Sequence, residues 1–443
     1  MKTKTTRVLV WLGWSLFTAL LMLGGVSPAQ ETKDIAKTID SNNVAQYKNM
    51  LMPALYRAVE RGDFILQTGK LNYEYKHWDK FVAAGKKNDG KFDLNAEGDL
   101  IDKGSGRQVL RNVYGFPFPN VNPSDPKAGE KIMWNFYYNK HRLMGVRYYS
   151  RISWIHKDKG EHRFIIGDSL NNHLLGRPPE LAITESQNPN HYSYVELSLV
   201  QEPFSMYGMN SLMYDKLDWP DITQFNYIPS IRRIRQSSGV ERSDPYMGSD
   251  SWTDLGFSWC GKNKTMEWKL VGEQTILVPF TSALKIHAKS DPDGTLFMQV
   301  PTIKFGFNTP GWKGAKWATT NAIWVPRKCW IIEQMPRNRY YAWGLHTNYV
   351  DQDTCLIWMK EVKDRAGQFR TWTMSTYGLQ EGEDGNNNVG LRDAQVTVDE
   401  KARHATIGWF LTPKTPEGYA IFEPLSRMPL DWFTKDYLMS MSK

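Results

Sequence analysis

The sequence predicts an α+β protein that is built on one large antiparallel β-sheet. Between about residues 142 and 405, apolar residues recur mainly at every second position, which is the periodicity of β-strands. Strand-like segments follow one another through short turns with no helix-length segment between them, and this order excludes a doubly wound α/β fold. A sheet of so many strands cannot stay flat, so we expect it to curl into a barrel, a half-barrel or a sandwich.

Residues 1–29 have the pattern of a secretory signal peptide. Three basic residues precede an almost unbroken apolar run over residues 8–23, and small residues around Ala29 suit a signal peptidase. We therefore expect export to the periplasm with cleavage near Ala29. Residues 30–443 are expected to form a single domain because they contain no linker, repeat or low-complexity tract. An uncleaved membrane anchor is the alternative, although the apolar run is short for a spanning helix.

The composition favours contact with lipids over contact with nucleic acid. The net charge is +8, and it falls to +5 without residues 1–29, which contain three basic and no acidic residues. Such a mildly basic protein suits anionic membrane surfaces, but its charge is too dispersed for a nucleic-acid module. Aromatic residues make up 13% of the chain, which is typical either of a large sheet core or of a cavity lined by rings.

Two helices are predicted before the sheet. Pro53 suits the first turn of a helix that continues to Val59, and Gly62 follows as its stop signal. Apolar residues at helical spacing predict a second, short helix over about residues 128–139. The polar residues 84–108 between them are rich in Gly and Asp and are predicted to be a loop.

The strands of the sheet are predicted from alternating segments that are separated by turn signals. “MEWKLVGEQTILVPF” (residues 266–280) has the pattern of a strand, a Gly turn and a second strand. “SDPDGT” (residues 290–295) is a strong turn signal between two further strands. Other strands are predicted for “YSYVELSL”, “CWIIEQM”, “RYYAWGLHTNYV”, “TCLIWMKEV” and “FRTWTMSTY”.

No familiar catalytic or metal-binding motif occurs in the sequence. It has no HExxH, Walker-type, GxSxG or GxGxxG signature in the required context. His156, His162, Asp168 and His173 are the best candidates for a metal site, but their spacing fits no known ligand motif, so we predict no metal and no cofactor. The three cysteines lie far apart, and the sequence allows both one disulfide with a free thiol and three buried thiols.

An unusual concentration of positive charge follows a strand-like apolar run at Arg232, Arg233 and Arg235. Strand alternation places Arg233 and Arg235 on one face and Arg232 on the other, so at least one arginine should point to the interior or the rim of a curved sheet. An unpaired guanidinium there would be costly. We therefore expect ion-pair partners among the acidic residues that follow, which are Glu241, Asp244, Asp250 and Asp254.

These charged residues leave two roles open. They either brace the mouth of the fold through ion pairs or form a rim that binds a headgroup or a partner protein. Asp244, Asp250 and Asp254 could also provide the paired carboxyl groups of a glycosidase. A periplasmic hydrolase or lyase acting on polysaccharide or lipid is therefore one alternative function, and a non-transporting scaffold of the cell envelope is another.

Four segments together resemble an exported proteobacterial family that is known as domain of unknown function 1329. “YGFPFPNVNPSDPKAGEKIMWNFYYNKHR” resembles the family signature G.PFP.P..G..AIWN...R, and “NYIPSIRRIRQ” resembles its Y.PG.RRVRR strand. “DLGFSWCGKNKTMEWKLVGEQTILVPF” and the segment from Pro326 onward resemble two further family segments. Ser230 departs from the pattern, which has Gly at that position. The matching signature positions include Pro117, Pro119, Trp134, Asn135, Trp268, Lys269 and Gly272.

The resemblance implies a strongly curved antiparallel β-sheet, a half-barrel, that wraps a few helices as in the lipoprotein-sorting carriers LolA and LolB. It also implies an inner-membrane exporter of the resistance-nodulation-division type and an outer-membrane protein as partners, and no established enzymatic activity. We therefore expect a periplasmic carrier for a lipid or another hydrophobic molecule, with transient membrane contact and no covalent chemistry. Aromatic and Met side chains would shield the cargo, because buried apolar area gains about 25 cal/mol per Å².

Overall fold

The computed structural model describes residues 37–237, 240–293, 295–300, 302–389, 392–411, 420–423 and 427–442. The predicted signal peptide and its cleavage site near Ala29 lie outside the described residues. None of the helices within these ranges is long and apolar enough to cross a membrane.

The described ranges contain four α-helices, which are α1 (Pro53–Glu60), α2 (Asp79–Asn88), α3 (Ala128–His141) and α4 (Lys435–Ser440). α1 begins at the predicted proline, whose missing N–H costs nothing in a first turn. Gly62 follows α1 with a φ of +75°, the left-handed conformation that ends many helices. Local sequence signals therefore determine both ends of α1.

The strands before α3 have three residues each, whereas those after it range from two to fifteen residues. The strands up to the first long hairpin are β1 (Lys37–Ile39), β2 (Leu66–Thr68), β3 (Phe92–Leu94), β4 (Leu100–Asp102), β5 (Gly145–His156) and β6 (Gly160–His173). They are followed by β7 (Tyr192–Glu202), β8 (Ser211–Lys216), β9 (Thr223–Ile228), β10 (Arg233–Ser237), β11 (Met266–Phe280), β12 (Ile286–His287), β13 (Lys289–Ser290) and β14 (Leu296–Phe297). The last group is β15 (Ile323–Pro336), β16 (Trp343–Asp351), β17 (Ile357–Asp364), β18 (Phe369–Tyr377), β19 (Gln380–Glu381), β20 (Asn387–Asn388), β21 (Arg392–Asp399), β22 (His404–Phe410) and β23 (Ala420–Glu423).

One 18-stranded sheet dominates the described part of the chain. Its main path runs β11–β15–β16–β17–β18–β21–β22–β5–β6–β7–β8–β9–β10, and every neighbouring pair on this path is antiparallel. The turns along the path therefore alternate between two edges of the sheet. The chain order is broken only where β22 pairs with β5, which places the C-terminal strands beside the first long hairpin.

The sheet is strongly curled. Phe280 at the end of β11 pairs with Tyr377 at the end of β18, although β15, β16 and β17 lie between these strands along the path. In a flat sheet four strand spacings would separate the two residues by about 19 Å. The curvature brings them together, and the predicted α+β fold with a strongly curved antiparallel sheet around a few helices is confirmed.

α3 lies on the inner face of the curve. Ile132, Met133 and Phe136 pack against the inner residues of β11, β15, β16 and β17. Trp134 and Tyr138, on the opposite side of the helix, are covered by a cluster from residues 92–121. A Cβ on Gly129 would lie 2.6 Å from the backbone oxygen of Trp268, so only glycine permits this approach of α3 to β11. We call β11 and β15–β17 with α3 the helix-filled half.

A buried apolar core covers the outer face of the sheet. Leu55 and Val59 of α1 belong to one buried cluster with Val396 of β21, Ile407 of β22 and Trp358 of β17. The long connection between β14 and β15 adds Trp317 and neighbouring residues to this cluster. Both faces of the sheet are thus covered, which explains the high aromatic content of the chain.

Three predicted elements are wrong. Residues 84–108 are not a single loop, because they include the end of α2 and the β3–β4 hairpin, whose few apolar side chains pack near α3. Residues 266–280 form one strand, since the chain makes a β-bulge between Leu270 and Gly272 instead of a turn. The strand predicted through “NYIPSIRRIRQ” is a hairpin of β9 and β10, in which residues 229–232 turn the chain.

Candidate functional site

A cavity of about 220 Å³ lies on the part of the inner face that α3 leaves uncovered. Its sheet wall comes from β5–β9, β21 and β22, which we call the cavity half, and its other wall from residues 246–260, which we call the cover segment. The apolar side chains of the lining include Ile152, Ile165, Leu199, Trp252, Phe257 and Phe410. The hydroxyl side chains include Ser150, Ser169, Ser198, Ser211, Thr397 and Thr406.

Strand alternation produces this wall. Side chains at every second position of a strand share one face, and β21 turns Asp393, Gln395 and Thr397 toward the cavity while its intervening residues pack into the outer core. Small residues at inward positions leave the space open: Gly408 of β22 is one of them, and a Cβ added there would meet no heavy atom within 4 Å. The cavity therefore results from residue size as well as from curvature.

A buried ion pair fixes the cover segment. The Nη2 atom of Arg242 lies 2.7 Å from Oδ1 of Asp254, and both side chains are almost fully buried. The Tyr341 hydroxyl donates a hydrogen bond of 3.1 Å to the second oxygen, Oδ2 of Asp254. Burial alone would lower the pKa of Arg242, but the Asp254 carboxylate outweighs burial and raises this pKa. The pair joins the chain just before the cover segment to the middle of that segment.

A second carboxylate attaches the cover segment to β22. Asp250 Oδ2 lies 2.6 Å from Nδ1 of His404 and accepts a hydrogen bond of 2.7 Å from the Thr406 hydroxyl. The backbone N–H of Asp250 donates to the same hydroxyl oxygen at 2.9 Å. Two of the predicted acidic residues, Asp250 and Asp254, thus hold one wall of the cavity in place.

The cover segment also contains strained backbone. Met247, Phe257 and Ser258 have φ values of 49°, 50° and 69°, in the left-handed region that non-glycine residues seldom occupy. Each such residue costs on the order of 1–3 kcal/mol, and such strain is concentrated at binding sites and switch regions of proteins. Phe257 itself lines the cavity.

Glu196 of β7 brings a carboxyl group to the cavity wall. The Ser198 hydroxyl donates to its Oε1 at 2.8 Å, and the Tyr194 hydroxyl donates to its Oε2. Burial raises the pKa of Glu196, while the hydrogen bond from Ser198 and the charges of Arg242 and Lys140 act in the opposite direction. The carboxyl group therefore keeps its proton to a higher pH than an ordinary glutamate does.

β21 adds a second carboxyl group and a cation to the same wall. Asp393 accepts a hydrogen bond of 2.6 Å from the Thr281 hydroxyl, and burial raises the pKa of Asp393 to about 7. The guanidinium of Arg392 donates to Oε1 of Gln395 and lies 5.7 Å from the centroid of the Phe257 ring. Arg392 has no carboxylate partner among the described residues, and burial lowers its pKa.

Metal ligation finds little support in the described ranges. They contain no group of three or more His, Cys, Asp and Glu side chains that could hold an ion. Of the predicted metal candidates, Asp168 pairs with Arg147 at 2.9 Å, and His173 is buried with its Nδ1 3.1 Å from Nδ1 of His141. The three cysteines are free and buried, so the alternative with a disulfide is wrong.

The predicted arginine rim lies outside the cavity. Arg232, Arg233 and Arg235 are exposed, and none of them lines the cavity wall. None of them points to the interior, because the chain turns at residues 229–232 instead of continuing as one strand. A rim that binds a headgroup or a partner protein stays a prediction. Arg235 pairs with Glu241 at 3.2 Å, whereas Asp244 is exposed on the surface.

Most family-signature positions support the helix-filled half. Asn135 accepts a hydrogen bond of 3.0 Å from the Phe118 N–H and donates one of 2.7 Å to the Phe118 carbonyl, which fixes the turn between Pro117 and Pro119. The Trp134 indole donates to the Gly98 carbonyl at 2.9 Å. These positions hold α3 and the segment before it in place.

The signature positions on β11 are divided between core and surface. Trp268 is buried, and its indole donates to the Asn263 carbonyl at 2.8 Å. Lys269 and Gly272 are exposed, the latter at the β-bulge. None of the signature positions lines the cavity.

Sequence reasoning missed Glu196, Arg392 and Asp393. A weak signal exists for the first, because a glutamate interrupts the inward positions of “YSYVELSL” where an apolar residue is expected. No local pattern distinguishes the other two from ordinary surface charges. Their approach to Glu196 depends on the pairing of β22 with β5.

The chain is similar to one protein family in sequence and to several solved structures. Residues 38–438 match the family described as protein of unknown function (DUF1329). A putative outer membrane lipoprotein-sorting protein domain from Vibrio parahaemolyticus is 11% identical at a TM-score of 0.45, with 70% of this chain and 99% of that chain covered. A DUF1329 family protein from Desulfovibrio piger is 13% identical at a TM-score of 0.45, with 71% and 100% covered.

A LolA superfamily protein from Nitrosomonas europaea is 10% identical at a TM-score of 0.40, with 70% of this chain and 98% of that chain covered. No curated protein matches the chain.

Proposed function

This chain belongs to the DUF1329 family, and we propose that it is a periplasmic carrier of a lipid or another hydrophobic molecule and carries out no covalent chemistry. In this proposal it accepts cargo from, or delivers it to, an inner-membrane exporter and an outer-membrane protein. The observation that carries the proposal is the cavity between the curled sheet and the cover segment.

The lining of the cavity suits an amphipathic cargo. Its aromatic and aliphatic side chains can cover an acyl chain or a ring system, and each Å² of apolar area removed from water contributes about 25 cal/mol. Its hydroxyl groups can bind a polar group without imposing one chemical identity. A purely hydrocarbon cargo would leave the hydroxyl groups that have no partner among the described residues, such as those of Ser150 and Ser211, without hydrogen bonds, which would cost binding free energy.

Arg392 is the group in the lining that is best suited to bind the polar end of the cargo. A guanidinium without a carboxylate partner presents several free N–H donors at the cavity wall, and such donors match a carboxylate or a phosphate. Phe257 lies beside it to cover the neighbouring apolar part. We therefore propose an anionic amphiphile as the preferred cargo.

Lipid extraction with a cavity-blocking variant tests the carrier. Gly408→Phe places a ring in the cavity, and Gly272→Phe places the same ring on the exposed bulge of β11; a Cβ added to either glycine would meet no heavy atom within 4 Å. Protein purified from the periplasm is extracted and analysed by mass spectrometry. We expect lipid with the wild type and with Gly272→Phe, and none with Gly408→Phe. A wild type without lipid contradicts the proposal, as does equal lipid in Gly408→Phe.

A hydrolase or lyase is the second candidate, because Glu196 and Asp393 bring two carboxyl groups with raised pKa values to one cavity. Such a pair can divide the roles of general acid and base. Under this alternative, polysaccharide or lipid incubated with the wild type yields products, and Glu196→Gln abolishes them. No turnover by the wild type across such substrates, together with co-purified lipid, favours the carrier.

A further inference from the structure

The alternating path of the sheet collects six turns at one edge. Because neighbouring strands are antiparallel, the turns that follow β5, β7, β9, β15, β17 and β21 all lie at this edge, which we call the basic edge. The turns are residues 157–159, 203–210, 229–232, 337–342, 365–368 and 400–403.

Charge distinguishes the basic edge from the opposite one. Its six turns contain eight lysines and arginines and two acidic residues. Four turns of the described chain lie at the opposite edge, and their residues 174–191, 217–222, 352–356 and 378–389 contain eight acidic residues and one arginine. The long connection over residues 281–322 belongs to neither edge, since it contacts both Glu381 and Lys157.

Most of the cations at the basic edge form no ion pair among the described residues. Lys157, Arg337 and Arg403 form ion pairs with Asp63, Glu267 and Asp158. The other five are exposed and have no carboxylate partner among the described residues; these are Lys159, Arg232, Arg339, Arg365 and Lys401. Their charge is free to meet an external anionic surface.

Exposed apolar side chains are concentrated at the same edge. Phe204 is 93% exposed, Tyr340 66%, Ile231 58% and Tyr207 49%, and these are the four most exposed large hydrophobic residues of the described chain. All four lie in turns of the basic edge. Exposed aromatic and aliphatic side chains surrounded by cations are typical of a surface that enters the boundary between lipid headgroups and acyl chains.

The basic edge adjoins the cover segment of the cavity. Arg163, near the start of β6, donates from Nη2 to the sulfur of Met206 at 3.4 Å and from Nη1 to the Met247 carbonyl at 3.2 Å. It therefore connects the turn that contains Phe204 and Tyr207 with the strained start of the cover segment. A surface bound to this edge would lie next to that wall of the cavity.

We propose that the basic edge docks the protein on the surface of an anionic phospholipid membrane. Phe204, Tyr207, Ile231 and Tyr340 enter the interface, and the unpaired cations bind lipid phosphates. The acidic residues of the opposite edge set the orientation, because the same membrane repels them. This docking does not depend on the identity of the cargo, so it can be tested separately from the proposed function.

Vesicle co-sedimentation tests the docking. Protein purified from the periplasm should sediment with vesicles of phosphatidylglycerol and phosphatidylcholine, less so in high salt, and not with phosphatidylcholine alone. The double variant Arg232→Glu and Arg233→Glu should lower the partition constant about a hundredfold, and Phe204→Ser about tenfold.

Lys289→Glu and Trp219→Ser are the matched controls for these variants. Trp219 lies in a turn of the opposite edge, and Lys289 lies in the long connection that belongs to neither edge. Both side chains are exposed, so neither change should disturb the fold, and neither should alter sedimentation with the anionic vesicles.

A site-specific label gives a readout that folding defects do not imitate. Ser205→Cys places one exposed thiol in the turn of Phe204, since the three native cysteines are buried. An environment-sensitive fluorophore there should shift to the blue with the anionic vesicles, and the same fluorophore at Ser186→Cys, on the opposite edge, should not. Absence of sedimentation with anionic vesicles overturns the proposal, as do equal fluorescence shifts at both labelled positions. Absence of sedimentation would instead favour a protein as the partner of the basic edge.

Discussion

The two halves of the inner face use one sheet in opposite ways. In the helix-filled half, the inward residues of the strands are large, as with Trp268, Ile332 and Ile357, and α3 packs against them. In the cavity half, several inward positions hold serines, threonines and glycines such as Ser198 and Gly408, and no α-helix covers them among the described residues. The comparison shows that curvature creates the interior, while side-chain size decides whether it becomes core or cavity.

The polar groups of the two halves also differ in their surroundings. In the helix-filled half, the buried ammonium of Lys360 donates to the Ser258 carbonyl at 2.8 Å and is enclosed by protein. The cavity half instead keeps Glu196, Arg392 and Asp393 at a wall that faces open space. Burying such groups costs free energy unless they gain partners. Retaining them next to a cavity therefore costs stability, and the proposed binding of a polar group would give these side chains partners.

The largest expected effect concerns the helix-filled half. Trp268→Ala should lower the free energy of unfolding by about 3–5 kcal/mol, because it removes a buried ring and leaves a cavity beside Trp259. Urea unfolding measures this loss. The corresponding change at the cavity, Phe257→Ala, should cost much less, since that ring is only partly buried and lines the cavity. Equal losses would remove the distinction between the halves.

The second prediction concerns the pH dependence of the cavity half. Asp393 has a pKa of about 7 in the folded protein against an unfolded value of about 3.9. Between these values the folded state binds more protons than the unfolded state. The contribution of Asp393 to the free energy of unfolding is therefore complete below pH 4 and is lost as the pH rises through 7.

Asp393→Asn removes this loss and should raise the free energy of unfolding at pH 8 by up to about 4 kcal/mol, with little change at pH 3.5. Denaturant titrations at the two pH values measure the difference, and the exposed Asp244→Asn serves as the control. A gain that is the same at both pH values would refute the assigned titration.

The third prediction concerns the ion pair that holds the cover segment. Arg242→Met keeps much of the side-chain volume but leaves the Asp254 carboxylate buried without its ion pair, so we expect a loss of about 3 kcal/mol. The double variant Arg242→Met and Asp254→Leu should recover most of that loss in the same unfolding measurement. If the double variant is as unstable as the single one, then packing and not charge holds the segment.

The smallest effect on stability is expected for Arg392→Gln. It should change the free energy of unfolding by less than about 1 kcal/mol, because the guanidinium has no ion pair to lose among the described residues. Its effect should instead appear in binding, where a fluorescent long-chain carboxylate should bind about tenfold more weakly. The corresponding long-chain alcohol is the control and should bind both proteins equally; equal binding of the carboxylate would exclude Arg392 from the site.

Local patterns predict the regular elements well. The predicted strand “FRTWTMSTY” is β18 to the residue, and the helix predicted over residues 128–139 is α3 with two further residues. These elements have a clear period and clear boundary signals, which depend only on neighbouring residues. The predicted element boundaries are wrong where pairing with a distant strand determines the structure. Pairing with β15 along the whole of β11 turns the expected Gly turn into a bulge, because the ladder on both sides continues.

The candidate site depends on such distant partners throughout. Asp250 and Asp254 are visible in the sequence as a cluster beside the arginines, yet they bind His404 and Arg242 once the cover segment folds over the sheet. The arginines Arg232 and Arg233 are exposed because their hairpin ends at an edge of the sheet. Strand alternation predicts neither outcome. It tells which side chains of a strand lie on the same face, but not which residues of other elements contact that face.

The sequence alone predicts an N-terminal export signal, an antiparallel sheet, the helices α1 and α3 and a resemblance to a known family. Each of these predictions rests on residues that lie close together in the chain. The tertiary structure decides where the cavity lies, which charges line it and which turns share an edge. Those features arise from the pairing of β22 with β5 and from the curl that brings β11 to β18, and contacts between residues so far apart have no local signature.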